Sequence, residues 1–424
     1  MSHAMMISLG LLVVCFVIRM PIAIGMIISS TLYLAVKGMD PSVVVEIFTS
    51  KMYNNFILLA VPPFIFAANI MNSSKVTDKI FDFSKVLVGR WKGGLGHVNV
   101  IASLIFSGMT GSAVADASGL GIMEIEAMRK EGYDAAITAG SAVIGPIFPP
   151  SIPLVIYGVI AGASIGNLFL AGMVPGIILA LALCIYVCYI ANKRNYPSGR
   201  KYAGMEFIKM TVSAVPALLT PIILLMGIYT GIMTATEAGA VAGLYALLIS
   251  VFAYRSITLS EFIQVLKNTV KSTGQIGIML GAAYVFSYVI AVENLPSLAG
   301  NLILSFATTK VSFLVFVNIL LFILGMLLDS AVLQLVLLPI LCPIAQSFGI
   351  DMVHFGVVFT LNTMIGLCTP PFGMLLFIVT GISGEKMNTI IKEVMPMVFV
   401  MVLVLILVTF VPDVIMWLPR LFGR

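Results

Sequence analysis

Charge is scarce in this sequence of 424 residues: 23 Lys and Arg with 18 Asp and Glu make up 10% of it, against about 25% in soluble domains. So few ions cannot clothe a water-facing surface of that size, which excludes most soluble enzymes and nucleic-acid binders. The formal net charge of +5 does not reverse this. The basic residues sit in short loops rather than in one patch, so no nucleic-acid partner is expected. Histidine is nearly absent, and the five cysteines (Cys15, Cys184, Cys188, Cys342 and Cys368) lie in apolar stretches without a CxxC pair. That pattern excludes a Cys/His metal site and reads the thiols as membrane-buried small hydrophobes. The first apolar run has no basic segment before it and no small-residue cleavage site after it, so it is expected to remain as a membrane helix.

What the sequence has in abundance is apolar surface: 60% of residues are hydrophobic and the mean hydropathy is +1.12. About 20 apolar residues cross a bilayer, which predicts continuous crossings near 7–35, 53–72, 173–193, 207–231, 234–254, 274–294 and 394–418. Two more stretches, 135–162 and 353–382, are interrupted by Phe148-Pro149-Pro150-Ser151 and Thr369-Pro370-Pro371-Phe372. Proline removes an N–H and blocks helix continuation, so these read as crossings broken in mid-membrane. Residues 95–130 and 311–349 each hold an apolar run, a polar break (Ser107 to Ser112; Gly325 to Ser330) and a second run. Each half looks too short to cross alone, which predicts re-entrant hairpins with shielded tips. The stretches Ser74–Arg90 and Thr258–Lys271 read as amphipathic helices lying in the interface.

Lys75, Lys79, Lys85, Arg90 and Lys92 precede the first hairpin, and Lys193, Arg194, Arg200, Lys201 and Lys209 lie between the halves. Both loops are expected to be cytoplasmic. Counting nine crossings from there puts the N-terminus inside and the C-terminus outside, with the second hairpin entering from the opposite face. The halves also match: Gly108-Met109 and Gly325-Met326 stand 217 residues apart, and Pro149-Pro150 and Pro370-Pro371 stand 221 apart. A hairpin followed by a proline-broken crossing, twice and in opposite orientation, is an inverted repeat, the mark of a secondary transporter.

Asp116 follows the first break and Asp329 lies in the second, each amid apolar sequence where an ionised carboxylate must be solvated or paired. Freed carbonyls, hydroxyls and one carboxylate are the hard oxygens a sodium ion takes. The plainer reading of either Asp is a helix cap. Ser103, Ser107, Thr110, Ser112 and Ser118 cluster at the first break, and Ser330 and Thr369 at the second; any one could simply bond its own backbone. Behind each double proline, the helix restarting at Ser151 or Phe372 points N–H groups at the gap, which suits an anion. Glu237, in Thr234-Ala-Thr-Glu237, reads as a capping arrangement, and Arg19 as a snorkelling or partner-facing cation. Two intramembrane aspartates could form a protease dyad. Each, however, sits in its own break with no nucleophile, metal cluster or phosphate loop nearby, so no enzyme is expected. A channel fits less well than a carrier, because hairpins from opposite faces meet at a closed central site.

The run Gly108 to Gly121 (GMTGSAVADASGLG), the Gly145–Pro153 break and the Cys368–Gly373 break together resemble the large membrane (M, DctM-like) subunit of TRAP transporters, with a lean toward the sialic-acid branch. The resemblance covers essentially the whole chain. It implies an all-α polytopic fold of the elevator type and a bacterial inner-membrane location. The implied partners are a small four-helix membrane (Q) subunit, a periplasmic substrate-binding protein, membrane lipid and an organic acid anion of the sialic acid or C4-dicarboxylate type. Sodium influx would drive uptake. One sodium site would involve Ser103, Ser107, Gly145, Phe148 and Pro150, and the other Gly325, Asp329, Thr369 and Phe372. Substrate would meet Ser112, Asp116, Ser151 and Ser330.

The implied division is scaffold and first arm over 1–94, transport unit over 95–172, scaffold and second arm over 173–310, transport unit over 311–385, and a scaffold helix over 386–424. With no room before Met1 for four more helices, the small subunit is expected as a separate chain. The other reading that fits the hairpins is a stand-alone sodium-coupled dicarboxylate carrier without a binding protein. That family's Ser-Asn-Thr tips differ from Thr110-Gly-Ser112 and Asp329-Ser330 here.

Overall fold

The computed structural model describes the chain apart from residues 1, 19, 55, 75, 132–146, 201, 203, 299–302, 304–306 and 423–424. The described residues are helical apart from turns, loops and one antiparallel bridge between Lys92 and Ser198. In chain order the helices are α1 (His3–Val17), α2 (Ile22–Lys37), α3 (Val43–Asn54), α4 (Val61–Ser73), α5 (Val76–Val88), α6 (Gly94–Thr110), α7 (Ala113–Ser118), α8 (Leu120–Lys130), α9 (Ile152–Ala161) and α10 (Ile165–Lys193). There follow α11 (Gly204–Tyr229), α12 (Ala235–Leu248), α13 (Leu259–Val292), α14 (Lys310–Gly325), α15 (Ser330–Ser347), α16 (Met352–Gly366), α17 (Met374–Ser383), α18 (Met387–Phe410) and α19 (Asp413–Phe422). Starts are written in the sequence by capping side chains. Thr234 with Glu237 and Thr258 with Glu261 form capping boxes on α12 and α13, and Asp351 caps α16. Such caps satisfy N–H groups that lipid cannot.

Several expected crossings change form. The stretch 7–35 is not one span. Met20 and Pro21 end α1, and α2 returns beside it, with Ser8 Oγ donating to the Ser29 carbonyl at 2.9 Å and Gly25 seated against Cys15. Within 53–72, α3 and residues 58–73 meet at 65°. Residues 258–271 are not a separate interfacial arm: they open the continuous 34-residue α13, about 51 Å long at 1.5 Å per residue. The last crossing begins at Met387 and ends at Phe410, and 413–422 form a short helix of their own. The second half of the second hairpin, α15, is long and apolar enough to cross by itself. Within the stretch expected as the first arm, Val76–Val88 form the helix α5, which buries Val76, Ile80 and Phe81.

Charged ends order the bundle. Lys92 reaches Asn195, Gly93 donates to the Pro197 carbonyl, Arg129 meets Glu385 at 3.7 Å and Arg194 meets Glu393 at 2.8 Å. The basic loops therefore share one end. From there α11, α12 and α13 run up, down and up, so Glu293 closes the opposite end. Its carboxylate accepts from Ser2 N (3.1 Å), Ser2 Oγ (2.6 Å), Tyr33 Oη (2.8 Å) and Lys37 Nζ (2.7 Å). Lys37 above all, then Ser2, holds this carboxyl down at about 2. The N-terminus thus lies at the end away from the basic loops. An inside N-terminus rested on a single crossing through 7–35, and the paired helices α1 and α2 remove that count.

The largest buried cluster runs through α9, α10 and α14–α18, while α1, α2 and α13 share a second and α4–α6, α11 and α12 a third. Polar contacts knit the first cluster: His354 Nε2 lies 3.0 Å from the Val408 carbonyl, and Asn318 reaches Thr409 at 3.4 Å. Helices α10 and α18, expected in the scaffold, therefore pack with the hairpin and broken-helix elements.

Candidate functional site

Both proline breaks take the same local form, with cis peptide bonds at Pro149-Pro150 and Pro370-Pro371. After each, a short helix restarts: α9, capped by Ser151 Oγ accepting from Leu154 N at 3.2 Å, and α17, entered through Gly373 at φ +25. The breaks lean on the hairpin tips. Ile152 N donates to the Gly111 carbonyl at 3.3 Å, and Gly111, at φ +58, sits so close that a Cβ there would lie 2.6 Å from the Pro150 carbonyl oxygen. In the second half, a Cβ on Gly366 would lie 2.5 Å from the Gly325 carbonyl carbon. Only glycine permits those approaches.

The tips meet in one cavity of about 500 Å³, walled by α4, α7, α9, α13 and α15. Ser112, which caps α7, lies on its wall, as do Asp329 and Ser330 from the other half. Asp329 Oδ1 accepts from Ala331 N at 2.9 Å, so the capping role read from sequence is real, and the residue is nevertheless exposed to the cavity. Ser330 Oγ shares a hydrogen bond with Thr363 Oγ1 at 2.9 Å. Ser118, on α7, also lines the cavity.

A second, smaller cavity of about 270 Å³ adjoins it through Asp329 and gathers Gly325 and Phe372. Thr369 is buried beside it with its hydroxyl donating to the Ile365 carbonyl at 2.9 Å. In the first half, Ser103 and Ser107 are buried on α6, and Ser107 Oγ donates to the Leu104 carbonyl at 2.7 Å. Phe148 packs between Gly108 and Gly176. Gly145 and Arg19 lie outside the described residues.

Asp116 and Ser151, expected at the substrate, stand behind the cavity wall. Asp116 is 1% exposed, faces Ser103, and neither of its oxygens has a hydrogen-bond partner of good geometry. Glu124 on α8 is equally buried and close enough to feel the Asp116 charge. Sequence reasoning did not single out Glu124, which lies at the end of the expected hairpin beside the charged Glu126, Arg129, Lys130 and Glu131. It also missed polar side chains of the cavity: the amides Asn69 and Asn72 on α4, and the Ser272 hydroxyl and Gln275 amide on α13. Their shared three-residue spacing, which puts each pair on one helix face, was the available signal.

In each half of the chain a helix break, at 111–112 and at 329–330, thus comes to the wall of the same cavity. Comparison with known proteins gives the family: the description "Tripartite ATP-independent periplasmic transporter, DctM component" matches residues 9–414. The chain belongs to the DctM family. Among its relatives, the sialic acid TRAP transporter large permease protein SiaM of Vibrio cholerae serotype O1 is 44% identical over 373 residues, 87% of each chain. The C4-dicarboxylate TRAP transporter large permease protein DctM of Pseudomonas aeruginosa is 33% identical over 387 residues, 90% of each chain. Among solved structures, the YdaH transporter of Alcanivorax borkumensis superposes with a TM-score of 0.64 over 86% of each chain at 11% identity, a likeness of fold alone. As a DctM-family chain this is a multi-pass transporter permease, not an enzyme.

Proposed function

We propose that this DctM-family chain is the large membrane subunit of a sodium-coupled importer of an organic acid anion, fed by a periplasmic binding protein and braced by a small membrane subunit. The observation that carries the reading is the single cavity formed by Ser112 from one repeat and Asp329-Ser330 from the other. The large permeases for sialic acid and C4-dicarboxylates among its relatives support the anion class.

The excess of basic residues in the loops supports a cytoplasmic position, in a bacterial inner membrane, for the end holding Arg90, Arg129 and Arg194. Both termini then face outward. In an elevator cycle the moving body would be α6–α10 with α14–α18, and the fixed body α1–α5 with α11–α13, the cavity lying between them. This division shifts α10 and α18 out of the scaffold because α18 is hydrogen-bonded to α14 and α16, and its Glu393 pairs with Arg194 at the end of α10.

Hard oxygens for sodium are available in both halves. The unpartnered Asp116 carboxyl beside Ser103 supplies one set, and Gly325, Asp329 and Phe372 around the smaller cavity supply the other. Bound there, a cation would offset the carboxylates' charge and favour an adjacent anion, each ligand raising the other's affinity equally. Uptake of labelled sialic acid and succinate into proteoliposomes holding this chain and its small subunit tests the proposal. Uptake that requires both an inward sodium gradient and the binding protein is expected. Uptake with sodium alone would replace it with the stand-alone carrier.

A further inference from the structure

Two tyrosines, one on α12 and one just beyond it, hold a weakened stretch of α11. Pro216 and Pro221 lie inside α11, so the carbonyls of Val212 and Ala217 lose the N–H that a regular helix would offer them. In the same stretch the Tyr254 hydroxyl accepts from Ala217 N at 3.1 Å and donates to the Ser213 carbonyl at 2.9 Å. Those are the two groups that an uninterrupted helix joins to each other. Tyr245 Oη donates to the Pro216 carbonyl at 3.0 Å. A side chain entering the backbone ladder and a proline beside it are both causes of a helix bend. Tyr254 reaches this spot through an irregularity of its own: Ile249–Ala253 form a π-turn, closed by Tyr254 N on the Ile249 carbonyl at 2.8 Å. The wider turn brings Tyr254 round toward the side of Tyr245, which regular α-helical spacing would set on the opposite face. What this stretch carries is a contact with the first hairpin. A Cβ on Gly108 would stand 3.3 Å from Pro221 Cβ, 3.5 Å from the Phe148 ring and 3.5 Å from the Pro149 carbonyl oxygen. Gly108 therefore lies between α11 and the first proline break, and Pro221 stands one helical turn beyond the Tyr254 bridge.

We propose that Tyr254 is a positioning residue for transport: its hydroxyl keeps α11 bent at Ser213–Ala217 and so sets Pro221 as the fixed body's stop against the first hairpin tip. The proposal rests on the division into fixed and moving bodies drawn above. Without the hydroxyl, Ala217 N has no acceptor in the bilayer but the Ser213 carbonyl, so the ladder closes and α11 straightens. Pro221 then draws back from Gly108, the arrangement that seats the tip is less populated, and the cycle slows.

The test is a distance along α11, read beside uptake. Spin labels on Phe207→Cys and Met226→Cys, two exposed positions on either side of the bend, report it in the complex with the small subunit, the exposed Cys188 being replaced by serine. On a straight helix the two backbones stand about 28 Å apart. Tyr254→Phe is expected to lengthen the measured distance by a few Å and to slow maximal uptake about tenfold, the scale of one or two hydrogen bonds, with the melting temperature retained. Pro216→Ala, which gives the Val212 carbonyl its N–H back, removes the bend by an independent route and is expected to show both changes with Tyr254 in place. An unchanged distance in both variants overturns the bend. A lengthened distance with unchanged uptake overturns the positioning role, as does slowed uptake without a change in distance, because the hydroxyl would then act elsewhere. A wild-type complex that imports no organic acid sinks the transporter reading and the positioning role with it, whereas the bend is decided by the distance alone.

Discussion

The two hairpin tips close on the same cavity with opposite arrangements of charge. The first is broken into three helices, α6, α7 and α8, presents a neutral Ser112 to the cavity, and keeps its carboxyls, Asp116 and Glu124, buried behind it. The second is two longer helices, α14 and α15, and sets Asp329 on the cavity wall itself. A repeat thus preserves where the chain breaks without preserving which side of the break carries charge. The lesson is that the pseudo-symmetric frame provides two similar gaps, and the residues beside each gap divide the tasks: a dry acidic interior on one side, a wet acidic cap on the other.

Four substitutions would break or sharpen that contrast. The largest effect is expected from Gly366→Ala, whose new Cβ must push α16 away from Gly325. Overpacking of this kind costs about 1–3 kcal/mol, and the yield of monodisperse protein in size-exclusion chromatography should collapse. A well-behaved variant would mean that the second gap is looser than the first. Next, Ser112→Asp makes the first tip resemble the second. Two carboxylates would then face one cavity and repel the anion, and uptake should fall by about tenfold, equivalent to about 1.4 kcal/mol, with the melting temperature retained. If uptake persisted, the neutrality of the first tip would be incidental.

Asp116→Asn should separate stability from coupling. Removing one of two neighbouring buried carboxyls is expected to hold or raise the melting temperature by a few degrees, the scale of about 1 kcal/mol, while the sodium dependence of uptake weakens. A lower melting temperature with unchanged sodium activation would assign Asp116 to packing alone. The smallest effect is expected from Ser151→Ala, which removes the cap on α9. About 1 kcal/mol of stability should be lost, visible as a modest drop in the thermal midpoint, with sodium activation intact because Ser151 stands behind the cavity wall.

Much of this frame is legible in the sequence, because breaks are local events. Pro149-Pro150, Pro370-Pro371 and the cap at Asp329 act through their own backbone, and each was found at its place, whereas Ser112 and Ser151, expected at the substrate, cap α7 and α9. What the sequence concealed depends on tertiary packing. Residues 7–35 have the composition of one crossing, and the seat of Gly25 on Cys15 and the Ser8–Ser29 hydrogen bond reveal two helices side by side. The interfacial reading of 258–271 failed for a similar reason: polar residues such as Lys267 and Lys271 suggested a surface helix, yet nothing after them ends the helix before Val292. Asn72 and Gln275 escaped notice because an amide on a membrane helix gains meaning only from the cavity it faces.

The fastening of Ser2, Tyr33 and Lys37 on Glu293 bears on how the protein is made. The first helices leave the ribosome long before residue 293, so α1 and α2 must wait in the bilayer as an unanchored pair while some 250 residues follow them. Synthesis of the end of α13 would then be the moment at which the N-terminal hairpin is locked in position. A nascent chain stalled short of Glu293 would expose its N-terminus to protease, and one released just beyond it would not.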